Sequence, residues 1–464
     1  MAFLRSSSCF DKSAANSGIE RISFFGLGKL GLPLAALFAR SGLRVVGIDI
    51  NAGLVEKLRA GMVPIAEPGL DEILAEAVPF ITYTTDIGEA ANTDASIILV
   101  ETASDGTNSG YSSNRVESAC MDLCAALRAR PVWRYHLIVI ASTLLPGSIS
   151  TIVPNLEEAL GQSAGRDFGI AYVPEFVGLG KVVKGFTHPS FLLIGSDDPR
   201  AATHTAGLYR RIVAPETPLR IQSLWDAELT KIALNMFLCM KVSFGNFLAQ
   251  LCEHLGGADL DAIANTLSLD SRVGAGLLRG GTPYGGPCLP HDTEAFVHLA
   301  QLAGLDALLA KATAEVNAAQ FDLIERCVLA GSPRCVAVLG LSLKPGTPAT
   351  DGSPAFEFVR RLLRASIQVV AFDPFEKACA VAQAKFGLSI TCFNSLAICV
   401  ASADTILICN PDPSFSGLAT KVPPDRRIVD PWGFLCGTHP GLMQPGRGKS
   451  RPVTESVHAL VELP

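Results

Sequence analysis

Short apolar runs end in Gly-rich turns at Phe25 and Leu339, and in each case a second apolar run follows and ends in an acid, Asp49 or Asp373. Between them, from Asp226 to Ala330, the hydrophobic period becomes helical. These observations predict an α/β protein with two Rossmann-like, doubly wound domains joined by a central helical domain. The expected bounds are a flexible tail over 1–19, a dinucleotide domain over 20–213, a helical domain over 214–330 and a smaller α/β domain over 331–464.

The first element is the strand Arg21–Phe25, which runs into Gly26-Leu27-Gly28-Lys29-Leu30-Gly31 and then into the helical run Leu32–Arg40. In this context the first glycine allows the tight turn, the second admits a pyrophosphate to the backbone, and the third lets helix pack on strand. N–H groups at the helix start then face the diphosphate. The next strand, Arg44–Asp49, ends in an acid 49 − 28 = 21 residues beyond the second glycine. A carboxylate there accepts from both ribose hydroxyls and repels a 2′-phosphate, which favours NAD over NADP. Asp49 alone would otherwise be an ordinary strand-end cap.

Apolar runs Ser96–Val100, Ile138–Ser142 and Gly169–Tyr172 continue the alternation and deliver Thr102, Thr143 and Glu175 at their C-terminal ends. Open α/β sheets bind ligands there, although each residue can equally cap the helix that follows. A long helix is expected from Asp226 to Leu255, with Leu229, Ile232, Ala233, Phe237, Met240 and Phe244 as its buried face. Lys231 and Asn235 lie four apart on one side of it, where a solvated Lys and a packed Asn are the ordinary alternative. A second helix over Asp259–Ser268 leads to Arg272.

The stretch Gly280-Gly281-Thr282-Pro283-Tyr284-Gly285-Gly286-Pro287-Cys288-Leu289-Pro290-His291-Asp292 fixes an irregular backbone around one cysteine, with a carboxylate four residues on. Cys288 is the candidate nucleophile, since a cysteine on such a turn approaches substrate closely and polar neighbours raise its thiolate fraction. Simple packing is the competing role for any cysteine. A single helical run is expected from Thr293 to Ala330. Strands at Cys335–Gly340, Ile367–Asp373, Thr405–Cys409 and Arg427–Asp430, with a helix over Ala355–Ala365, make the second α/β domain. It lacks GxGxxG, so it either holds a different nucleotide or only completes a cleft. Gly437–Pro452 reads as a mobile tail segment.

Composition narrows the function classes. The 464 residues are 48% hydrophobic and 18% charged with a net charge of −6, and the isoelectric point is near 5.8. That balance argues against nucleic acid or a membrane surface as main partner. Thirteen cysteines without a CxxC pair suit a reducing cytoplasm and suggest no metal site. The apolar segment Ile232–Leu251 carries Asn235, Lys241 and Asn246, so a buried helix is expected rather than a membrane span.

Taken together, GLGKLGLPLA, Asp49, Glu67-Pro68-Gly69-Leu70, Ser142-Thr143, Pro174-Glu175-Phe176, Ala227-Glu228-Leu229-Thr230-Lys231 with Asn235, Tyr284-Gly285-Gly286 before Cys288, and Gly340-Leu341-Ser342-Leu343-Lys344-Pro345 resemble the UDP-glucose/GDP-mannose dehydrogenase family over about residues 20–435. The resemblance implies NAD-dependent four-electron oxidation of a nucleotide-sugar primary alcohol to a carboxylate, through a thiohemiacetal and a thioester on Cys288. Lys231 and Asn235 would then stabilise oxyanion charge, Thr143 and Asp292 hold a water, and Asp292 or Glu175 take its proton. NAD would be held by Gly26, Gly28, Lys29, Leu30, Gly31, Asp49, Thr102 and Thr143. Substrate would meet Glu175, Phe176, Val177, Lys231, Arg272, Tyr284, Gly285 and Lys344, with Arg272 reaching across a subunit boundary of a homodimer or larger homo-oligomer.

The chain departs from the family pattern at Leu179, where the second Glu of PEFLxEG is expected, and at His291, where a Lys precedes the aspartate. Phe191 replaces an Arg, and Asp351-Gly352 replaces Arg-Glu in the third-domain loop, while Pro411-Asp412 stands near the missing Glu-Trp motif. Losing two positive charges and gaining an acid is unfavourable for a nucleotide diphosphate. The alternatives are the same hydride chemistry on a different alcohol, or an NAD-binding protein without catalysis.

Overall fold

The computed structural model describes residues 18–102, 111–255, 257–445 and 447. Most of the expected N-terminal tail therefore lies outside the described residues, but Ile19 is buried in the core and belongs to the fold. The chain divides into two compact units, Met1–Ile232 and Ala233–Pro464.

The first unit is built on one sheet of eight strands: β1 Arg21–Phe25, β2 Arg44–Ile48, β3 Ile81–Thr84, β4 Ala95–Ile98, β5 His136–Ile140, β6 Phe168–Tyr172, β7 Leu192–Gly195 and β8 Leu219–Gln222. Their order is β3-β2-β1-β4-β5-β6-β7-β8. All neighbours are parallel except β6 and β7, which meet antiparallel at Tyr172 and Gly195. The inner strands are buried along their whole length because helices cover both faces, which is why they read as continuous apolar runs. One core lies under helices Gly31–Arg40 and Pro199–Tyr209. The other lies under Asn114–Arg128 and Ser148–Leu160.

The second unit carries β9 Cys335–Leu339, β10 Gln368–Phe372, β11 Ile390–Cys392, β12 Thr405–Ile408, β13 Arg427–Val429 and β14 Leu442–Met443. Their order is β11-β10-β9-β12-β13-β14, parallel throughout. The expected mobile segment after Gly437 is thus corrected in its described part. Leu442 and Met443 pair with Ile428 and Val429, and the Arg447 guanidinium is held by Asp261 at 3.0 Å and the Pro431 carbonyl at 3.0 Å.

Two helical expectations also change. The run from Thr293 to Ala330 is two helices, Leu289–Leu302 and Leu308–Leu329, broken where Gly304 takes φ +71°. The first begins four residues earlier than its apolar pattern, because Pro290 in the first turn starts a helix rather than ending one. Helix Leu224–Leu255 is continuous over 32 residues, yet Leu229, Phe237 and Phe244 of its expected buried face are exposed. Glu228, Lys231, Ile232, Asn235, Met236, Cys239, Ser243 and Asn246 are buried instead. By length and composition it is the one described helix that could cross a membrane, but the face it buries carries polar groups bonded into the fold.

Candidate active site

At the first strand-helix turn, Gly26 has φ +95° and a Cβ there would lie 2.4 Å from the Leu99 carbonyl oxygen; a Cβ on Gly31 would lie 2.0 Å from the Gly26 oxygen. Both glycines are forced by backbone packed on backbone. Gly28 differs, since nothing lies within 4 Å of its notional Cβ. Its glycine has no cause inside the chain, and the open space beside the start of helix Gly31–Arg40 fits a bound pyrophosphate. That helix has no acid in its first turn and no side-chain cap, which leaves its dipole available to an anion. Asp49 accepts from the N–H of Leu27 at 2.8 Å and of Asn51 at 2.9 Å. It braces the glycine turn and is still half-exposed, so its remaining lone pairs suit a ribose. Lys29 is exposed and Leu30 half-buried on the same turn, and Thr102 is half-buried where the described chain ends before residue 103.

The first unit also gathers Thr143, Glu175 and Lys231. Thr143, half-buried, follows β5 on a turn whose preceding Ser142 hydroxyl donates to the Val100 carbonyl at 2.7 Å. Glu175 follows β6, and Glu67 holds the far end of its turn by accepting from Gly180 N–H at 2.7 Å and Val182 N–H at 2.6 Å. Lys231 is 5% exposed. Its ammonium donates to the Glu175 carbonyl at 2.8 Å and stands 5.2 Å from the centre of the Phe176 ring. The Glu175 side-chain oxygen Oε1 is buried without a hydrogen-bond partner. Burial pushes this carboxyl up to about 8, the Lys231 charge pulling the other way. Phe191 stacks on Phe176 at 5.0 Å between ring centres, and Leu179 packs on the core. Apolar packing thus takes up two of the departures from the family pattern, and Val177, against Gly185, borders the same turn.

In the second unit, side-chain amides hold the cysteine stretch by its backbone. Asn246 accepts from Gly281 N–H at 3.0 Å, Gln320 donates to the Gly281 carbonyl at 2.7 Å, and Asn317 bonds both Tyr284 N–H at 2.8 Å and its carbonyl at 3.1 Å. Sequence reasoning does not single out these three amides as latches, although Asn246, inside an apolar run, is the available signal. Cys288 is exposed, and among the described residues only Cys436 shares that state. It stands at the N-cap of helix Leu289–Leu302 with no cap bond from its side chain, where the N–H groups of the first turn open toward it. Asp292 N–H donates to the Cys288 carbonyl at 2.8 Å. The Asp292 carboxylate is fully buried and accepts from the Asn235 amide. Tyr284 is bonded to Thr293, and burial pushes its hydroxyl up to about 12.

Gly285 and Gly286 belong to a second close approach. A Cβ on Gly285 would lie 2.3 Å from the Gly352 oxygen, and Gly286 N–H donates to that oxygen at 2.8 Å. Gly352 has φ +66° and its own notional Cβ lies 2.7 Å from Gly286. The loop that carries half-buried Lys344 and exposed Asp351 is therefore in backbone contact with the cysteine turn, and a glycine at 352 is what permits it. His291 is half-buried one residue before Asp292. Arg272 stands exposed and paired with Asp270 at 2.6 Å, with no neighbour from the cysteine stretch among its hydrogen bonds.

A glycine turn that opens at a helix start and is braced by a strand-end acid, on a parallel sheet covered by helices, marks the first unit as an NAD-binding dehydrogenase domain. The chain belongs to the UDP-glucose/GDP-mannose dehydrogenase family: residues 20–213 match its NAD binding domain, 225–319 its central domain and 337–435 its UDP binding domain. It is 32% identical to the GDP-mannose 6-dehydrogenase of Azotobacter vinelandii over 89% of this chain and 97% of that protein. It is 34% identical to the UDP-glucose 6-dehydrogenase AglM of Haloferax volcanii over 88% of this chain and 97% of that one. The solved structure of a UDP-glucose dehydrogenase from Pyrobaculum islandicum is similar with a TM-score of 0.82 at 32% identity, covering 89% of this chain and 94% of that one.

Proposed function

We propose that this protein oxidises the primary alcohol of a nucleotide sugar to the carboxylate with two NAD, and that Cys288 carries the covalent intermediate. The observation that supports this most is the exposed thiol at a helix start with Asp292, gripped by Asn235, in the first turn. The turn Gly26–Gly31 and Asp49 would hold NAD, which would supply the hydride acceptor for each of the two oxidations. Glu175 takes the alcohol proton through a water held at Thr143, a task that its rise to about 8 suits. Cys288 Sγ then adds to the aldehyde carbon and gives a thiohemiacetal, whose oxyanion Lys231 and Asn235 stabilise. Loss of the second hydride leaves a thioester. Water positioned by Asp292 attacks it, the C–S bond breaks and Cys288 regains its proton. Tyr284, Gly285 and Lys344 meet the substrate along the loop in contact with the cysteine turn.

A second reading, the same chemistry on an alcohol without a diphosphate, is favoured by exposed Asp351 where the family carries Arg. Incubating the protein with NAD and a panel of UDP- and GDP-sugars separates the two. Two NADH and one carboxylate per substrate for a panel member uphold the first; no NADH with any, despite NAD binding, overturns it.

Exposed Phe237, Phe244, Phe247 and Leu251 form one stripe of helix Leu224–Leu255 and support a homodimer through that stripe, with Arg272 offered to the neighbouring subunit. Light scattering decides this: Phe244→Asp should yield monomer. The exposed nucleophilic thiol suits a reducing, cytoplasmic setting.

A further inference from the structure

Glu228 is fully buried in helix Leu224–Leu255, and its two carboxylate oxygens accept from two backbone amides of the segment after Thr143. These are Gly147 N–H at 2.7 Å and Ile149 N–H at 3.0 Å. One turn earlier, Trp225 lies over Gly147, whose notional Cβ would come within 2.7 Å of the indole ring, and Trp225 Nε1–H donates to Ser150 Oγ at 3.1 Å. Three residues later the same helix presents Lys231 to the Glu175 carbonyl at 2.8 Å. Two consecutive turns of one helix therefore fix the Thr143 turn and the Glu175 turn in a single register. A fully buried carboxylate is an expensive way to cap a helix that a surface Ser or Asp would cap equally well. Gly147 has φ +89°, a conformation that favours glycine at the position whose amide meets Glu228.

We propose that Glu228 is a positioning residue for the oxidation: its carboxylate sets the distance between the Thr143 turn and the Lys231–Glu175 pair, so that a water held at Thr143 meets the carboxyl that takes its proton. The proposal rests on the reaction described above. Burial raises Glu228 itself to about 7, with the two amide bonds pulling it down and Asp197 adding to the rise. Asp197 belongs to the turn before helix Pro199–Tyr209 and accepts from Leu224 N–H at 3.4 Å, which puts a second negative charge near the base of the long helix. The carboxylate form, with both oxygens accepting, is the one that holds the turn.

The test compares Glu228→Gln and Glu228→Ala with the wild type in two measurements. Amide hydrogen exchange reports Gly147 and Ile149 without any substrate, and steady-state kinetics separate kcat from KM for the nucleotide sugar. Glutamine keeps one acceptor and turns an NH2 toward the other amide, so it should lose protection at one of the two, and alanine at both, by about tenfold or more. Kcat should fall on the order of 10- to 100-fold in the alanine variant and less in the glutamine variant, as expected for misplacement near the reacting groups, with KM for the sugar within about threefold. Unchanged protection at both amides overturns the proposal. So does accelerated exchange with kcat at the wild-type level, because the carboxylate would then stabilise the fold without placing the reaction. If the alanine variant does not fold, the glutamine variant gives the same two readings. A wild type that reduces no NAD with any nucleotide sugar would defeat the reaction itself, and that outcome is told apart because exchange at Gly147 and Ile149 is still measured.

Discussion

Replacing Glu175 by Gln should remove activity and, above neutral pH, make the protein more stable. The carboxyl ionises near 4.5 in the unfolded chain and near 8 in the fold, where its oxygen Oε1 is buried without a partner. Below 4.5 both states are neutral and the fold keeps its full stability. Between the two values the unfolded chain sheds a proton that the fold retains, so stability falls as pH rises, and above 8 the loss is complete. The interval is 8 − 4.5 = 3.5, and at ~1.4 kcal/mol per pH unit the whole effect approaches ~5 kcal/mol, an upper bound that relaxation of the buried site reduces. Gln cannot ionise and escapes this loss. Urea unfolding of both proteins between about pH 5 and pH 9 should therefore give curves that diverge with rising pH, the variant being the more stable on the alkaline side. In the wild type NADH formation should climb with pH toward a midpoint near 8, with only about one-tenth of the carboxyl ionised at pH 7. Lys231→Met removes the charge that holds the carboxyl down and should move that midpoint higher. Parallel stability curves, together with a rate that has levelled off below pH 7, would refute both the buried proton and the role built on it.

The other predictions concern single contacts. Cys288→Ser should abolish acid formation and leave NAD affinity within about twofold, read by calorimetry and product analysis; acid made at the wild-type rate would remove the thioester. Gly285→Ala drives a Cβ to 2.3 Å from the Gly352 oxygen, so the loop must yield and the Gly286–Gly352 bond lengthens. The expected cost is ~2–3 kcal/mol, visible as a fall in melting temperature with altered alkylation of Cys288 by iodoacetamide. NADP should bind at least about tenfold more weakly than NAD because its phosphate meets Asp49, and Asp49→Ser should narrow that gap while weakening NAD, since the Leu27 N–H loses its acceptor.

Much of the fold is legible in the sequence because its signals are local. Strand β1, the glycine turn and strand β2 lie in one unbroken stretch; the Gly26 oxygen that makes Gly31 obligatory is within it, whereas the Leu99 carbonyl that makes Gly26 obligatory comes from the end of β4. Strands β3, β7 and β8 escape such a reading: β3 and β8 lie at the two edges of the sheet and bury little, so neither carries a continuous apolar run, and β7 reverses direction. The polarity of the long helix misleads for a physical reason. Period arguments assign the apolar stripe to the interior, but here Phe237 and Phe244 face outward and Glu228, Lys231 and Asn235 face in. What buries them is a set of partners distant in sequence, namely the amides of Gly147 and Ile149, the Glu175 carbonyl and Asp292. No window of the helix itself carries that information; only the assembled motifs do.

The second α/β domain poses a question that Asp373 alone cannot decide, and the geometry of its turn answers it. Gly340 takes φ +85° as Gly26 takes +95°. Asp373 accepts from Ser342 N–H at 2.7 Å and Phe375 N–H at 2.8 Å, as Asp49 does from Leu27 and Asn51. The strand orders β3-β2-β1-β4-β5 and β11-β10-β9-β12-β13 are also the same. The two domains differ in the segment that leaves the turn. Helix Gly31–Arg40 starts at once and Gly28 opens onto empty space. After β9 the next helix starts only at Pro354, the Asn410 carboxamide comes within 2.6 Å of the notional Gly340 Cβ, and Asn410 donates to the Ser342 carbonyl at 2.8 Å. Asn410 and buried Ser342 fill the space that the matching turn of the first unit leaves open at Gly28, so this turn does not repeat that opening. This supports the proposal that a nucleotide recognised by this domain lies along the loop from Lys344 to Gly352. Because the Gly352 carbonyl is bonded to Gly286, two residues before Cys288, any substrate that orders that loop acts directly on the turn that carries the nucleophile.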